Sequence, residues 1–318
     1  MDNDCWVCVF LHVEQPSRVN FRLICRAWAT ILDRGILWPD IGVDLKRESL
    51  SCACERGNLV AAQWLVSTFG LTAEDVRADD NYALFITCEN GHLGVAQWLV
   101  DTFGLTADDA RAGDNRALYY SSVDGRLEVA QWLVETFGLT AADARASDDL
   151  FPWSCTRGFL VTSQWVVKTF SLTAADARAT NNYILRYSCE NGHLEMVQWL
   201  VATFGLTAAD ARANCNYALR YSCANGYLVI ARWLVEAFRL TAADARAVYN
   251  HALRYSCSNG HLDVAQWLVE TFGLTAADAR TDDNWALRES CENGYLATAR
   301  WLVTAFNLRP HCGECCPR

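Results

Sequence analysis

The chain has 318 residues, 52% hydrophobic and 20% charged, so it has ample material to bury and little of the composition of a disordered chain. A net charge of −10 and a pI near 5.1 set its surface against phosphate backbones, so nucleic acid is not an expected partner. No apolar run approaches the ~18 residues that would suggest a transmembrane helix, and the acidic start Met1-Asp2-Asn3-Asp4 is unlike a secretory or transit signal. No membrane association and a cytoplasmic, or else nuclear, location are therefore expected.

Residues 1–44 stand apart from the rest of the chain. The stretch 19–32 reads as a helix, with Leu23, Ala27 and Ile31 four residues apart and Trp28 beside them, before Leu37-Trp38-Pro39 stops it. The run Leu23-Ile24-Cys25-Arg26-Ala27-Trp28, joined at a short distance by Leu37-Trp38, resembles the C-terminal half of an F-box. Val9-Phe10-Leu11 and Pro16 resemble that motif's first helix and turn, although the family's opening Leu-Pro pair is absent. The resemblance implies a small helical module that docks on the Skp-type adaptor of a cullin ubiquitin ligase. Leu23, Ile24, Trp28, Leu37 and Trp38 would form that contact. On its residues alone, the same segment could serve as an apolar cap on the remainder of the chain.

From Leu45 onward the chain repeats itself. Trp64, Trp98, Trp132, Trp165, Trp199, Trp233, Trp267 and Trp301 recur every 34 residues, with one step of 33 between Trp132 and Trp165. A fixed period in this range signals stacked units rather than a domain with one centre. The units divide as 45–78, 79–112, 113–146, 147–179, 180–213, 214–247, 248–281 and an incomplete 282–308, leaving 309–318 as a flexible Cys-rich tail. Each unit opens with a helix that ends at a glycine, such as Gly192, where a left-handed residue avoids a Cβ clash. A second helix comes next; from His193 to Phe204 it is apolar around most of its circumference, leaving Glu195, Gln198 and Ala202 as a solvent stripe. One such unit cannot bury its own apolar surface, so it must be sandwiched between copies of itself.

The run Tyr183-Ile184-Leu185-Arg186-Tyr187-Ser188-Cys189-Glu190-Asn191-Gly192-His193-Leu194 resembles the ankyrin signature Thr-Pro-Leu-His-x-Ala-Ala-x-x-Gly-His-Leu. His92 and His261 repeat the turn histidine. Tryptophan-marked arrays of this kind resemble ankyrin families of protists and large DNA viruses. Where that family has an extended hairpin, this chain has Leu-Thr-Ala-Ala-Asp-Ala-Arg-Ala. Thr140, Thr173, Thr207, Thr241 and Thr275 each precede an aspartate by three residues, a capping-box pattern among helix-favouring alanines. A short third helix is therefore expected in each unit, giving an all-α, ankyrin-like solenoid of eight helical repeats. In unit 4, Pro152 stands where other units have Arg or Tyr, so the first helix is expected to start late, at Pro152, and to kink the stack.

Of fifteen cysteines, Cys54, Cys88, Cys155, Cys189, Cys223, Cys257 and Cys291 fill one repeat column. There they read as small buried hydrophobes, reduced and roughly one helix-packing distance apart, too far to bridge. His311 with Cys312 and Cys315 offers half of a zinc-site pattern with no second ligand pair, so no metal is expected. No phosphate loop, dinucleotide fingerprint or nucleophile elbow occurs, so neither enzymatic activity nor a cofactor is expected.

What remains is protein binding by a monomer. The recurring pairs Arg186/Tyr187, Arg220/Tyr221 and Arg254/Tyr255, with Arg288, are of types that commonly anchor interfaces, but their recurrence favours packing between units over binding. Positions that differ between units are better candidates for a partner surface: Tyr82, Arg116, Asp149, Tyr183, Tyr217, His251 and Trp285 just before the core leucine. A second such column holds Glu89, Val123, Thr156, Glu190, Ala224, Ser258 and Glu292. With the F-box resemblance, the array would select a protein of unknown identity for an SCF-type ubiquitin ligase; without it, the chain reads as an ankyrin scaffold.

Overall fold

A computed structural model describes residues 43–146 and 150–308, which form twenty-two α-helices and no strand. Leu23, Ile24, Trp28, Leu37 and Trp38 lie outside the described residues, as do Asp149 and the tail cysteines. The chain divides into two bodies: Met1–Ser154 with Val161–Ser171, and Cys155–Leu160 with Leu172–Arg318. Both are built from the same ankyrin-like unit.

Unit 5, in the second body, illustrates the plan. Its first helix ends at Glu190, Asn191 caps it, and Gly192 turns the chain at φ +85°. A β-carbon there would meet the Tyr227 ring of the next unit at 2.6 Å, so the glycine serves both backbone and stacking. The second helix, Leu194–Phe204, buries Met196, Val197, Leu200 and Phe204 and exposes Glu195, Gln198 and Ala202, as its periodicity requires. Gly205 closes it in left-handed geometry, and Leu206 tucks inward. The core of this body is a column of Leu185, Leu219 and Leu253 beside Leu200, Leu234 and Leu268, all fully enclosed. In the first body Leu84 and Leu118 with Leu65, Leu99 and Leu133 do the same. Cys54, Cys88, Cys189, Cys223 and Cys257 fill the small spaces of the same layer as free thiols. Burial pushes the Cys54 thiol up to about 12.

The third helix forms as the Thr-x-x-Asp pattern predicts. At Ala242–Ala245 the Thr241 backbone N–H and hydroxyl both donate to Asp244 Oδ2, at 2.7 and 3.0 Å, completing a capping box. The same aspartate accepts a fork from the preceding unit, with Arg212 Nε at 2.7 Å and Nη2 at 3.0 Å. Arg77–Asp109 and Arg111–Asp143 in the first body repeat this fork, as do Arg178–Asp210 and Arg246–Asp278 in the second. One carboxylate thus both starts a helix and ties it to its neighbour.

Between the third helix and the next first helix lies a feature that helical periodicity does not reveal. Asp79-Asp80-Asn81, Gly113-Asp114-Asn115, Thr180-Asn181-Asn182, Asn214-Cys215-Asn216, Val248-Tyr249-Asn250 and Asp282-Asp283-Asn284 are each three successive left-handed residues. Each non-glycine residue costs about 1–2 kcal/mol in that region, least for Asn and Asp. The third position is Asn every time, and its N–H closes the turn on an arginine carbonyl, as from Asn250 to Arg246 at 3.1 Å.

Unit 4 departs from expectation. Its first helix runs Leu150–Thr156, beginning before Pro152 rather than at it. Pro152 occupies the first turn, where the missing N–H has no intrahelical partner to lose.

A candidate partner-binding face

The first helices of successive units pack side by side within each body. In the second body these helices carry rings at i and i+4, which share one helical face. The rings run on from unit to unit. Tyr183 meets Tyr187 at 4.3 Å between centroids, Tyr187 meets Tyr217 at 5.5 Å, and Tyr217 stacks on Tyr221 at 4.0 Å. Tyr221 then meets His251 at 5.1 Å, His251 stacks on Tyr255 at 4.0 Å, and Tyr255 meets Trp285 at 4.8 Å. Each contact of this type adds about 0.5–1.5 kcal/mol beyond area burial. The first body holds a shorter cluster in which Tyr82, Phe85, Tyr120 and Tyr119 meet edge to face. Arg116 places its guanidinium over Phe85 at 4.3 Å.

Arginines thread the longer ladder. Arg186 lies 4.9 Å from the Tyr217 centroid, Arg220 5.4 Å from Tyr221, and Arg254 5.0 Å from Trp285, all within cation–π range. All three are buried, at 7%, 7% and 9% exposure. Arg186 donates to the carbonyls of Asn181 and Thr180, and Arg220 to those of Cys215 and Asn214, so each ties down its own left-handed turn. Arg254 instead donates to Asp282 at 2.6 Å, and its buried Nε has no partner among the described residues.

Electrostatics follow from this packing. His251 is held down to about 4 by burial and by the cations of Arg220 and Arg254, so it is neutral at physiological pH. Burial and the carboxylate of Glu190, which accepts from the Tyr217 hydroxyl, push that phenol up. Tyr82 is raised by burial and by Glu55 and Glu89 nearby.

The residues picked from the sequence thus occupy two places. Tyr183, Tyr217, His251 and Trp285 join one ladder with Tyr187, Tyr221 and Tyr255, whereas Tyr82 and Arg116 belong to the cluster of the first body. Tyr217 and His251 are buried within the ladder, and Tyr82 is 37% exposed. The second column is mostly not surface: Val123, Thr156, Ala224 and Ser258 are buried. Its main-chain carbonyls anchor the next unit, with Asn259 Nδ2 donating to Ala224 O and Asn293 Nδ2 to Ser258 O. The left-handed tips are the surface that pattern reading misses. Val248 and Tyr249 are 40% and 76% exposed there, and Cys215 is exposed as well. The signal for them is the Asp, Asn and Gly content just before each first helix, which marks a turn.

Comparison with protein families yields three matches. A model described as ankyrin repeats (3 copies) matches residues 42–146, and one described as ankyrin repeats (many copies) matches residues 183–235. A model described as F-box domain matches residues 1–40. A search of curated proteins finds no match. No helix of the described residues is long and apolar enough to cross a membrane.

Proposed function

Because the chain is an ankyrin-repeat protein with an F-box segment at its N-terminus, we propose that it is a substrate-recognition adaptor of an SCF-type ubiquitin ligase. Both kinds of module are interaction modules rather than enzymes. Residues 1–44 would hold a Skp-type adaptor through Leu23, Ile24, Trp28, Leu37 and Trp38. Residues 45–308, eight units, would select a protein through the ring-bearing ends of the first helices and the left-handed tips. The observation that carries this reading is the pairing of the two family matches in one chain, an F-box leading directly into a binding array. Supporting it, the ladder column of Tyr183, Tyr217, His251 and Trp285 and the tips change from unit to unit, while the leucine and cysteine layers beneath stay nearly uniform. That pattern suits a surface whose partner, rather than its stacking, selects the residues. Free thiols throughout the buried column are in keeping with a reducing compartment, cytoplasm or nucleus.

The test is capture of a Skp-type adaptor by the intact chain, compared with a Leu23→Ala/Trp28→Ala variant. Capture by the parent and its loss in the variant are expected. An intact, folded chain that recovers no adaptor would reduce residues 1–44 to a cap and the protein to an ankyrin scaffold.

A further inference from the structure

Arg186 and Arg220 are more than nine-tenths buried, yet neither lies within ion-pair distance of a carboxylate among the described residues. Their Nε and Nη2 groups go to main-chain carbonyls, and Glu190 accepts from the Tyr217 hydroxyl rather than from either guanidinium. A buried charge without a counter-ion is costly, and neutral carbonyls and ring faces offset only part of that cost. One unit further on, Arg254 has Asp282 but leaves its Nε unpartnered and enclosed. In a chain of net charge −10, Arg186 and Arg220 are therefore enclosed cations whose partners are main-chain carbonyls and ring faces.

The tips above these arginines show the same division. Thr180-Asn181, Asn214-Cys215 and Val248-Tyr249 carry no acid, whereas Asp79-Asp80 in the first body and Asp282-Asp283 beyond are acidic. Carboxylates are thus missing from the Thr180-Asn181 and Asn214-Cys215 tips that Arg186 and Arg220 tie down. Beside them stands an apolar knob. Val248 and Tyr249 adopt φ of +53° and +54°, a backbone that β-branched and aromatic residues rarely take, with both side chains in solvent. The fold gains nothing evident from placing these two residues there.

We propose that units 5 to 7 bind an acidic segment of the partner that also carries an apolar side chain. Its carboxylates would supply the counter-charge that Arg186 and Arg220 lack, where guanidinium and carboxylate pair with least competition from water. Its apolar side chain would cover Val248 and Tyr249, with Tyr249 as the anchor. The inference rests on the protein-recognition reading above but not on its adaptor half.

The experiment is fluorescence anisotropy on the full chain with a labelled peptide of alternating Glu and Phe, beside its Lys-for-Glu counterpart. The acidic peptide is expected to bind in preference, and more weakly as salt is raised. An Arg186→Gln/Arg220→Gln variant, checked for retained helix content, is expected to weaken binding by about tenfold or more. Because that variant could fail to fold, Tyr249→Ser, at an exposed tip, is tested alongside and is expected to weaken binding several-fold. Refusal of the acidic peptide, equal binding of the basic one, or unchanged affinity in Tyr249→Ser or in a folded double variant overturns the proposal. Adaptor capture by the same preparation separates the two readings. Adaptor bound with the acidic peptide refused sinks this inference alone; acidic peptide bound with no adaptor captured sinks the ligase reading alone.

Discussion

Asp244 makes two kinds of contact that recur at Asp109, Asp143, Asp210 and Asp278. It caps the Ala242–Ala245 helix through Thr241 and receives the Arg212 fork from the unit before. Replacing it with Ala leaves two orphan donors at the helix start and an arginine without its partner. We expect Asp244→Ala to cost about 1–2 kcal/mol, mostly from the lost cap, because the arginine is partly solvated and its pair screened. An earlier urea midpoint reads that loss, with Asp263→Ala, at an exposed carboxylate, as the control. Equal midpoints for the two variants would refute the double role. The cysteines divide as sharply. Cys215 is exposed on its tip, whereas Cys223 is enclosed and burial pushes its thiol up. Residue-resolved mass spectrometry after thiol labelling of the native chain should find Cys215 modified at once and Cys223 only after unfolding. Similar rates would contradict the packing of that layer.

The left-handed tips show most clearly what a linear reading can and cannot recover. The two main helices are legible because apolar spacing repeats eight times, and the third because Thr-x-x-Asp names its own cap. The tips are not. Val248-Tyr249 reads as a continuation of helix or strand, and only Asn250 after it, whose N–H closes on Arg246, fixes the turn. The ring ladder is half legible: the column holding Tyr183, Tyr217, His251 and Trp285 can be picked out. Its junctions with Tyr187, Tyr221 and Tyr255 join residues 30 positions apart and depend on how units stack. The start of the unit 4 helix reads too late because a lone proline marks a first turn without saying which of its positions it takes. These tips also allow a test of strain. Val248→Gly should raise stability by about 1 kcal/mol, since glycine reaches φ +53° without a Cβ clash. A fall in the denaturant midpoint would mean that the Val248 side chain packs more than its exposure implies.

Across the whole molecule, acid should act in two stages. His251 has its folded value held at about 4, against about 6.5 for an unfolded histidine. Between those values the unfolded chain takes up a proton that the folded ladder refuses. Stability is therefore full above about pH 6.5 and falls as pH drops towards 4. His193, lowered by burial, works in the same direction. The fork aspartates act next. Burial opposes ionisation at Asp109, Asp210, Asp244 and Asp278, but their arginine forks and threonine hydrogen bonds outweigh it and hold the carboxyls below the usual range. At Asp143 the Arg111 fork leads, and at Asp75 the Thr72 N–H does. These groups contribute fully above the unfolded aspartate value of about 3.9 and lose that contribution as pH falls through their folded values. Because stacked units need not unfold in one step, the fitting observable is the urea midpoint monitored by tryptophan fluorescence from pH 7.5 to 3. We expect a shallow decline below about pH 6.5 and a steeper one below about pH 4. His251→Tyr puts into unit 7 the ring that units 5 and 6 already hold there, so it should flatten the first decline and leave the second intact. A variant that keeps the full upper decline would show that the ladder accepts the proton, and that Arg220 and Arg254 do not act on His251 from where they stand.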